Sequence, residues 1–239
     1  MSKIDIEILS KNLILHGIVD QPATKSAVGI LFLHGGGHSR AERYGEVQAF
    51  FSDHQISTLA FSFRGCGSSK GIFEDSTLRD RLEDAESALK TYKEITGFTD
   101  SQIYIWGSSM GGHIASRLIS THQNIKGLIL QSAAAYGQKA ESQNFGPKFS
   151  DAIITENNWA DSLAFSSLSS FSNPILLLYG ANDTTIPEQV KETYFKSAKY
   201  IKKIIISGYG HKMLKPESDV EKNAWKEMMK SALDFIQSN

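Results

Sequence analysis

The sequence has few of the features that mark disulfide-rich, nucleic-acid-binding or membrane-spanning proteins. Its 239 residues include a single cysteine, Cys66, which cannot form an internal disulfide, so a reducing cytoplasm is the expected compartment. The formal net charge is −1, which predicts neither nucleic acid nor an anionic membrane as a partner. Apolar runs such as 28–33 are far shorter than the ~20 residues that cross a bilayer. The first residues alternate isoleucine with charged side chains, so no apolar signal core is expected there.

The chain contains a repeated exchange of strand and helix patterns. Its 41% hydrophobic and 21% charged residues suit one domain over 1–239. Such a domain can bury roughly 70–75% of its unfolded surface. Strands are predicted near 4–8, 13–19, 28–33, 57–62, 103–106, 127–131, 174–180 and 203–206. Helices are predicted near 43–54, 113–119 and 188–199, and two more are predicted to begin near 77 and 219. Because strands and helices alternate after an opening antiparallel hairpin, the predicted fold class is α/β with a mostly parallel sheet.

The helix that starts near Thr77 has an amphipathic pattern. Its apolar stripe consists of Leu78, Leu82, Ala85 and Leu89. The charged residues between these positions are expected to face water, and this group consists of Arg79, Arg81, Glu83, Asp84 and Lys90.

The segment 136–172 differs in character from the rest of the chain. Periodicity fades there and polar residues dominate, with Phe145, Phe149, Trp159 and Phe165 scattered among them. The segment is too long for an ordinary connection between two elements, so we expect a small cap or a functional loop. Its polar residues do not suit a long apolar trough, whereas its aromatic rings suit a compact pocket.

The pattern Gly-x-Ser-x-Gly at 107–111 follows a predicted strand and precedes a predicted helix. Strand, sharp turn and helix are the context of a nucleophile elbow. Gly107 and Gly111 lack a Cβ, so the chain can turn tightly and the helix can approach the strand. The N-terminus of that helix offers free N–H groups and a partial positive charge. The pattern therefore predicts that Ser109 is a catalytic nucleophile.

A serine nucleophile needs a base and an orienting acid, and two downstream residues fit these roles. Asp183 directly follows the strand 174–180, and His211 follows the last strand in a glycine-bearing loop. The carboxyl ends of parallel strands meet at one edge of the sheet, so these residues should converge on Ser109. We interpret His211 as the general base and Asp183 as the partner that fixes its tautomer.

Negative charge that develops on a substrate oxygen needs N–H donors. The expected donors are the N–H of Met110, directly after the nucleophile, and one N–H from the loop after 28–33. Gly36 is our choice for the second donor and Gly37 is the alternative, because three successive glycines leave the register open. His34 is expected to order this loop by hydrogen bonding. The histidines are scattered without ligand spacing, so we expect no metal and no other cofactor.

Together these motifs resemble the α/β-hydrolase superfamily over nearly the whole chain. The resemblance is carried by His34-Gly35-Gly36-Gly37, Arg64-Gly65-Cys66-Gly67-Ser68-Ser69, Gly107-Ser108-Ser109-Met110-Gly111-Gly112, Gly180-Ala181-Asn182-Asp183 and Gly210-His211. Within the superfamily, 71–78 resembles the segment after the glycine loop of cinnamoyl/feruloyl-type carboxylesterases. The inserted subdomain of those enzymes is longer than 136–172. The resemblance implies the α/β-hydrolase fold, with 136–172 as a short cap or loop insertion within the single domain.

The leading hypothesis is a carboxylic-ester hydrolase that forms an acyl-enzyme with a small-molecule ester, of short-acyl or compact aromatic-acid type. A thioesterase, acyltransferase or small peptidase with the same triad stays open. A peptidase would need a cap carboxylate for the substrate amine, and the candidates are Glu141, Asp151, Glu156 and Asp161. A non-catalytic ligand-binding member of the fold is less favoured, because a binder has no use for all three triad side chains. The oligomeric state is left open.

Overall fold

The computed structural model describes residues 2–211, 216 and 218–239, and one eight-stranded sheet lies at its centre. The strands are β1 (Ser2–Ser10), β2 (Leu13–Gln21), β3 (Gly29–Leu33), β4 (Ser57–Phe61), β5 (Ile103–Ser108), β6 (Gly127–Gln131), β7 (Ile175–Gly180) and β8 (Ile201–Ile206). Their order is β1-β2-β4-β3-β5-β6-β7-β8. The pairs β1–β2 and β2–β4 are antiparallel, and all other pairs are parallel. The predicted α/β fold with an N-terminal antiparallel hairpin is therefore confirmed.

Helices cover both faces of this sheet. They are α1 (Gly45–Asp53), α2 (Leu78–Thr96), α3 (Met110–Leu118), α4 (Gln138–Glu141), α5 (Pro147–Ile154), α6 (Leu163–Ser170), α7 (Glu188–Ser197) and α8 (Asp219–Ser238), with short 3-10 turns at Ala41–Tyr44, Phe73–Asp75 and Asp100–Gln102. Apolar side chains of α2, α3, α6 and α7 share one core cluster with the sheet, and those of α1 and α8 share the other. Strands β3 to β7 are buried along their whole length, as expected for strands covered on both faces.

The parallel topology brings the loops that carry the candidate residues to one edge of the sheet. The loops that follow β3, β5, β7 and β8 all leave from the carboxyl ends of these parallel strands. Strand β5 lies between β3 and β6, so the elbow after it is near the middle of this edge. Candidate site residues that are far apart in the sequence are thus brought to one place.

Two charged residues of α2 are buried, although the helical pattern predicts that they face water. Arg81 and Asp84 are both 0% exposed. Asp84 is buried because Arg64, from the loop after β4, donates to its carboxylate, with an Nη2–Oδ1 distance of 2.7 Å. Arg81 instead turns toward the glycine loop after β3, where Gly35 accepts its hydrogen bond. The prediction that both residues face water is wrong, because a helical pattern cannot show partners that other elements supply.

The segment 136–172 contains α4, α5 and α6 and packs against α2, α3 and α7 of the main fold. The N–H of Phe145 donates to the carbonyl of Ser76 at 2.9 Å, just before α2. Arg117 of α3 binds Glu141 of α4, with an Nε–Oε1 distance of 2.7 Å. These contacts fasten the segment to the helices that border the carboxyl edge. Across the described residues, no helix has both the length and the apolar character that a membrane crossing needs.

Candidate active site

Ser109 forms the turn between β5 and α3 and has backbone angles of φ 52° and ψ −116°. A positive φ is costly for a residue with a side chain, so the surroundings must hold it in place. The Ser109 N–H donates to the carbonyl of Gln131 at 2.9 Å, and the Ser109 carbonyl accepts from the N–H groups of Gly112 and Ala134 at 2.9 and 3.0 Å. Hydrogen bonds on both sides therefore fix the strained residue.

Two glycines make this turn possible. A Cβ on Gly107 would stand 2.4 Å from the carbonyl oxygen of Gly111, and one on Gly111 would stand 2.0 Å from the carbonyl oxygen of Leu33. Side chains do not tolerate such distances, so only glycine lets α3 pack this close to β5 and β3. The strand, turn and helix that the sequence predicts around Ser109 are therefore present.

Gln131, at the end of β6, supports the turn at Ser109. It was not predicted as a site residue from the sequence. Its side-chain Oε1 accepts from the indole N–H of Trp106 at 2.9 Å and from the hydroxyl of Ser108 at 3.0 Å. Its backbone carbonyl holds Ser109, as described above. The one available signal was a polar residue that ends an otherwise apolar strand.

The structure brings Ser109, His211 and Asp183 together at the carboxyl edge of the sheet. The Nε2 atom of His211 lies 3.1 Å from Ser109 Oγ. Its Nδ1 atom lies 3.1 and 3.0 Å from the two carboxylate oxygens of Asp183. A carboxylate can only accept, so Nδ1 carries the proton and Nε2 is left as the acceptor that faces the serine hydroxyl. This arrangement can move a proton from serine to imidazole.

The surroundings of Asp183 favour its charged form. Asp183 is 3% exposed, and such burial by itself raises the pKa of a carboxyl group. The interactions with His211 and with the nearby Ser132 hydroxyl outweigh this burial, so the pKa of Asp183 lies below its ordinary value. Asp183 Oδ1 also accepts from the backbone N–H groups of Thr185 and Ile186 at 3.0 and 3.3 Å. The carboxylate is therefore ionised at neutral pH and can stabilise a positive charge on His211.

The glycine loop after β3 lies against the elbow. A Cβ on Gly35 would stand 3.3 Å from Ser109 Cβ, and one on Gly36 would stand 3.3 Å from Met110 Cε. A Cβ on Gly37 would meet nothing within 4 Å. Within the described part of the chain, the N–H groups of Met110 and Gly36 have no hydrogen-bond acceptor. Both amides are thus free to donate to a ligand, and the position of Gly36 beside Met110 favours it over Gly37.

His34 orders this loop, as the sequence predicts. Its Nδ1 atom donates to the carbonyl of Gly35 at 2.8 Å, and its Nε2 atom accepts from the N–H of Phe63 at 3.1 Å. Burial, reinforced by the positive charge of Arg81, lowers the pKa of His34 to about 3. The imidazole is therefore neutral, which is the form that can donate from one nitrogen and accept at the other.

Three aromatic rings of the 136–172 segment join one ring of the main fold to form an aromatic cluster. Phe73 stacks on Phe145 with ring centroids 5.0 Å apart, Phe145 meets Phe149 edge-on at 4.9 Å, and Phe149 contacts Tyr136 at 5.5 Å. The guanidinium of Arg81 lies 4.9 Å from the Phe145 ring centroid. Because Arg81 also binds the glycine loop, the aromatic cluster borders the candidate site.

Glu141, a candidate amine-binding carboxylate, is engaged inside the protein. It is 4% exposed and accepts from Arg117 Nε at 2.7 Å and Nη2 at 3.2 Å. His113 Nε2 lies 3.5 Å from Glu141 Oε1, the oxygen that also accepts from Arg117 Nε. Burial tends to raise the pKa of Glu141, but His113 and Arg117 outweigh burial and hold that pKa below its ordinary value. Glu141 therefore joins α4 to α3 and offers no free charge.

Two histidines outside the candidate site lie beside carboxylates. His16 Nε2 lies 2.9 Å from Asp5, and His122 Nδ1 lies 3.1 Å from Asp100. Among the residues that the structure describes, no group of three or more His, Cys, Asp or Glu side chains is arranged to hold a metal ion.

Comparisons with known proteins agree with this architecture. A family model described as serine aminopeptidase, S33, matches residues 25–157. The uncharacterised protein YfhR of Escherichia coli K12 is 25% identical over 220 residues, which are 91% of this chain and 72% of YfhR. The lysophosphatidylserine lipase ABHD12 of Danio rerio is 28% identical over 203 residues, which are 77% of this chain and 50% of that protein. Est1E of Butyrivibrio proteoclasticus, solved with ferulic acid bound, superposes with a TM-score of 0.76 at 22% identity and covers 98% of this chain and 100% of its own.

Proposed function

Because the chain belongs to the serine aminopeptidase S33 family and has the α/β-hydrolase fold, we propose that it is a serine carboxylic-ester hydrolase. The observation that carries this proposal is the line of hydrogen bonds from Ser109 Oγ through His211 to Asp183. The surroundings of two of these residues suit their roles. Ser109 directly precedes helix α3, and Asp183 is buried and ionised. A domain that only binds ligands has no need for such an arrangement.

In the first half of the proposed reaction, Ser109 Oγ attacks the ester carbonyl while its proton moves to His211 Nε2. The electron pair of the carbonyl moves to its oxygen, which the N–H groups of Met110 and Gly36 stabilise. When this tetrahedral intermediate collapses, the bond to the alcohol oxygen breaks. His211 then gives its proton to that leaving oxygen, and the acyl group stays on Ser109.

The second half repeats these steps with water. His211 takes one proton from the water molecule as its oxygen attacks the acyl carbon, and the second intermediate forms in the same oxyanion site. Its collapse breaks the bond to Ser109 Oγ, which regains the proton from His211. The carboxylic acid leaves, and the starting state of the enzyme is restored. Asp183 keeps its charge throughout and stabilises the imidazolium.

The proposed substrates are esters of short-chain or compact aromatic acids, with the segment 136–172 as a cap over the site. The aromatic cluster of Phe73, Tyr136, Phe145 and Phe149 supports this choice, because the partly exposed rings of Phe73 and Tyr136 offer a limited apolar surface, whereas Phe145 and Phe149 are buried. Phe165 packs instead on Tyr194 of α7 at 5.0 Å, which gives the cap a second anchor. The ferulic acid bound to Est1E is a compact aromatic acid, although the likeness to Est1E extends to the fold alone.

Hydrolysis of peptides from a free amino end is less well supported, despite the description of the family. An aminopeptidase needs an anion that can pair with the substrate amine. Glu141 is already paired with Arg117, and Asp161 Oδ1 accepts from the backbone N–H of Gln138 at 3.1 Å. Asp151 and Glu156 are both exposed to solvent, which weakens any ion pair they would form.

A panel of substrates with the purified protein tests the proposal. It contains 4-nitrophenyl esters, methyl esters of aromatic acids, acyl thioesters and aminoacyl amides, each assayed with wild type and Ser109→Ala. We expect turnover of esters that depends on Ser109 and exceeds the turnover of amides. Preference for thioesters or for aminoacyl amides would replace the ester assignment but keep the nucleophile. No Ser109-dependent turnover of any member would contradict the proposed function itself.

A further inference from the structure

Arg81 of α2 is a fully buried arginine. The neighbouring carboxylates of α2, Asp80 and Asp84, bind Arg64 instead, at 2.5 and 2.7 Å. Across the described residues, no ion pair includes Arg81. Burial lowers the pKa of Arg81, which reflects how unfavourable a charge is at this place. A protein keeps such a charge only where other groups stabilise it, so the contacts of the guanidinium indicate its role.

The guanidinium of Arg81 donates two hydrogen bonds to the glycine loop, and its Nη2 also lies 3.8 Å from Cys66 Sγ. Its Nη1 donates to the carbonyl of Gly35 at 3.0 Å, and its Nη2 donates to the carbonyl of Gly37 at 3.4 Å. The rings of Phe63 and Phe145 lie 4.8 and 4.9 Å from its central carbon and replace water around it. One side-chain cation therefore holds two carbonyls of the same loop.

The peptide group between Gly35 and Gly36 connects the hydrogen bond from Arg81 to the candidate oxyanion site. A trans peptide is planar, and its carbonyl and N–H point in opposite directions. The Gly35 carbonyl accepts from Arg81 and also from His34, at 3.0 and 2.8 Å, so the orientation of this plane is fixed. The Gly36 N–H must then point away from Arg81. A carbonyl that accepts two hydrogen bonds, one of them charged, also makes the N–H of its peptide a stronger donor.

We propose that Arg81 is a positioning residue for the oxyanion hole, which aims and polarises the Gly36 N–H through the Gly35 carbonyl. This inference rests on the proposed ester hydrolase function, because it concerns the charge that develops in that reaction. Arg81 does not touch the substrate. It acts through one peptide group, which explains how a cation can be both buried in α2 and useful at Ser109.

The test compares Arg81→Met, Arg81→Lys and a matched control, Arg79→Met, which removes an exposed arginine two positions away on the same helix. Each protein is assayed with a 4-nitrophenyl ester as substrate and with a trifluoromethyl ketone as inhibitor. Ser109 Oγ adds to the ketone carbonyl, and the carbonyl oxygen of the resulting hemiketal is an oxyanion. We expect Arg81→Met to lower kcat about 10- to 100-fold with KM changed less than about twofold, since donors in such a site act mainly on the transition state. Its affinity for the ketone should fall by a similar factor.

Arg81→Lys should lie between wild type and Arg81→Met, because one ammonium cannot hold both carbonyls in the geometry of the guanidinium. Arg79→Met should match wild type. If Arg81 were needed only for packing, Arg81→Met would lower the melting temperature without lowering kcat selectively over KM. Wild-type kcat and ketone affinity in folded Arg81→Met would overturn the inference and leave the proposed function intact. If Arg81→Met does not fold, full kcat in Arg81→Lys overturns it equally. A wild-type protein without Ser109-dependent turnover would instead contradict the proposed function, and the inference with it.

Discussion

At the scale of single residues, the candidate site depends on three side chains that are useful only in combination. Ser109 needs His211 as an acceptor for its proton, and His211 needs Asp183 to fix its tautomer. The structure brings all three within hydrogen-bond distance, and their catalytic roles remain predictions. Two expectations follow from the geometry of this group.

The first expectation is that Ser109 and His211 act as a unit. Ser109→Ala should lower kcat by about 10⁴- to 10⁶-fold, and adding His211→Ala should cost little more, because both groups serve one step. Ester turnover of the two single variants and the double variant measures this, with circular dichroism to show that each folds. A further large loss in the double variant would mean that His211 acts independently of Ser109.

The second expectation concerns pH. His211 must be neutral to accept the serine proton, so kcat/KM should rise as pH rises. The pKa of Asp183 lies below its ordinary value, so Asp183 stays ionised throughout the range in which histidines titrate. The acid side of the profile should therefore follow one proton, with a slope of one on logarithmic axes. An uncharged ester assayed from about pH 5 to 9 covers the range in which histidines titrate. A slope of two, or activity that falls as pH rises through this range, would contradict this assignment.

At the scale of elements, the ion pair between α3 and α4 holds the segment 136–172 next to the elbow helix. Glu141→Gln should lower the free energy of unfolding at neutral pH by about 1–3 kcal/mol, since it removes a carboxylate bonded to Arg117. The folded-state pKa of Glu141 is depressed below its ordinary 4.5, so its contribution is present above that value and is lost as pH falls below it. The difference between variant and wild type should therefore shrink in acid.

Denaturant unfolding at neutral and acidic pH measures this effect, with Glu156→Gln as the control because Glu156 is exposed. The control should match wild type at both pH values. A Glu141→Gln difference that grows toward acid would refute the assigned role of the carboxylate.

The aromatic cluster leads to a prediction about acyl length. Each methylene that reaches apolar surface gains up to about 0.8 kcal/mol, roughly fourfold in specificity, until the wall ends. In a series of 4-nitrophenyl esters from acetate to palmitate, kcat/KM should rise over the first few carbons and fall well before the long chains. The series is run above and below micelle formation. A maximum at long chains with activation by micelles would point to a lipase, the activity in the name of the similar ABHD12.

At the scale of the whole molecule, strands and helices could be predicted where the hydrophobic pattern of the sequence is long or continuous. The strand at 127–131 and the start of the last helix at 219 agree with the observed bounds. The helices α4, α5 and α6 were not predicted, because helices of four to eight residues show little periodicity and depend on tertiary contacts.

The residues of the candidate site also fall into those that the sequence identified and those that it did not. Ser109, His211 and Asp183 could be selected because each follows a recognisable strand, and topology then brings them together. Arg81 could not be selected, because on a helical pattern a charged residue is assigned to water. The choice between Gly36 and Gly37 as a donor stays a prediction, because three successive glycines give no register; a Cβ on Gly36 would contact Met110, whereas one on Gly37 would meet nothing within 4 Å.

The measurement that tests the central claim most directly is covalent labelling with a fluorophosphonate, which reacts with serines that have an activated hydroxyl. Intact mass and peptide mapping give the number and the position of the adducts. The account predicts one adduct, on Ser109, that is lost in Ser109→Ala and forms far more slowly in His211→Ala. No adduct, or an adduct on another residue at the same rate in Ser109→Ala, would contradict it.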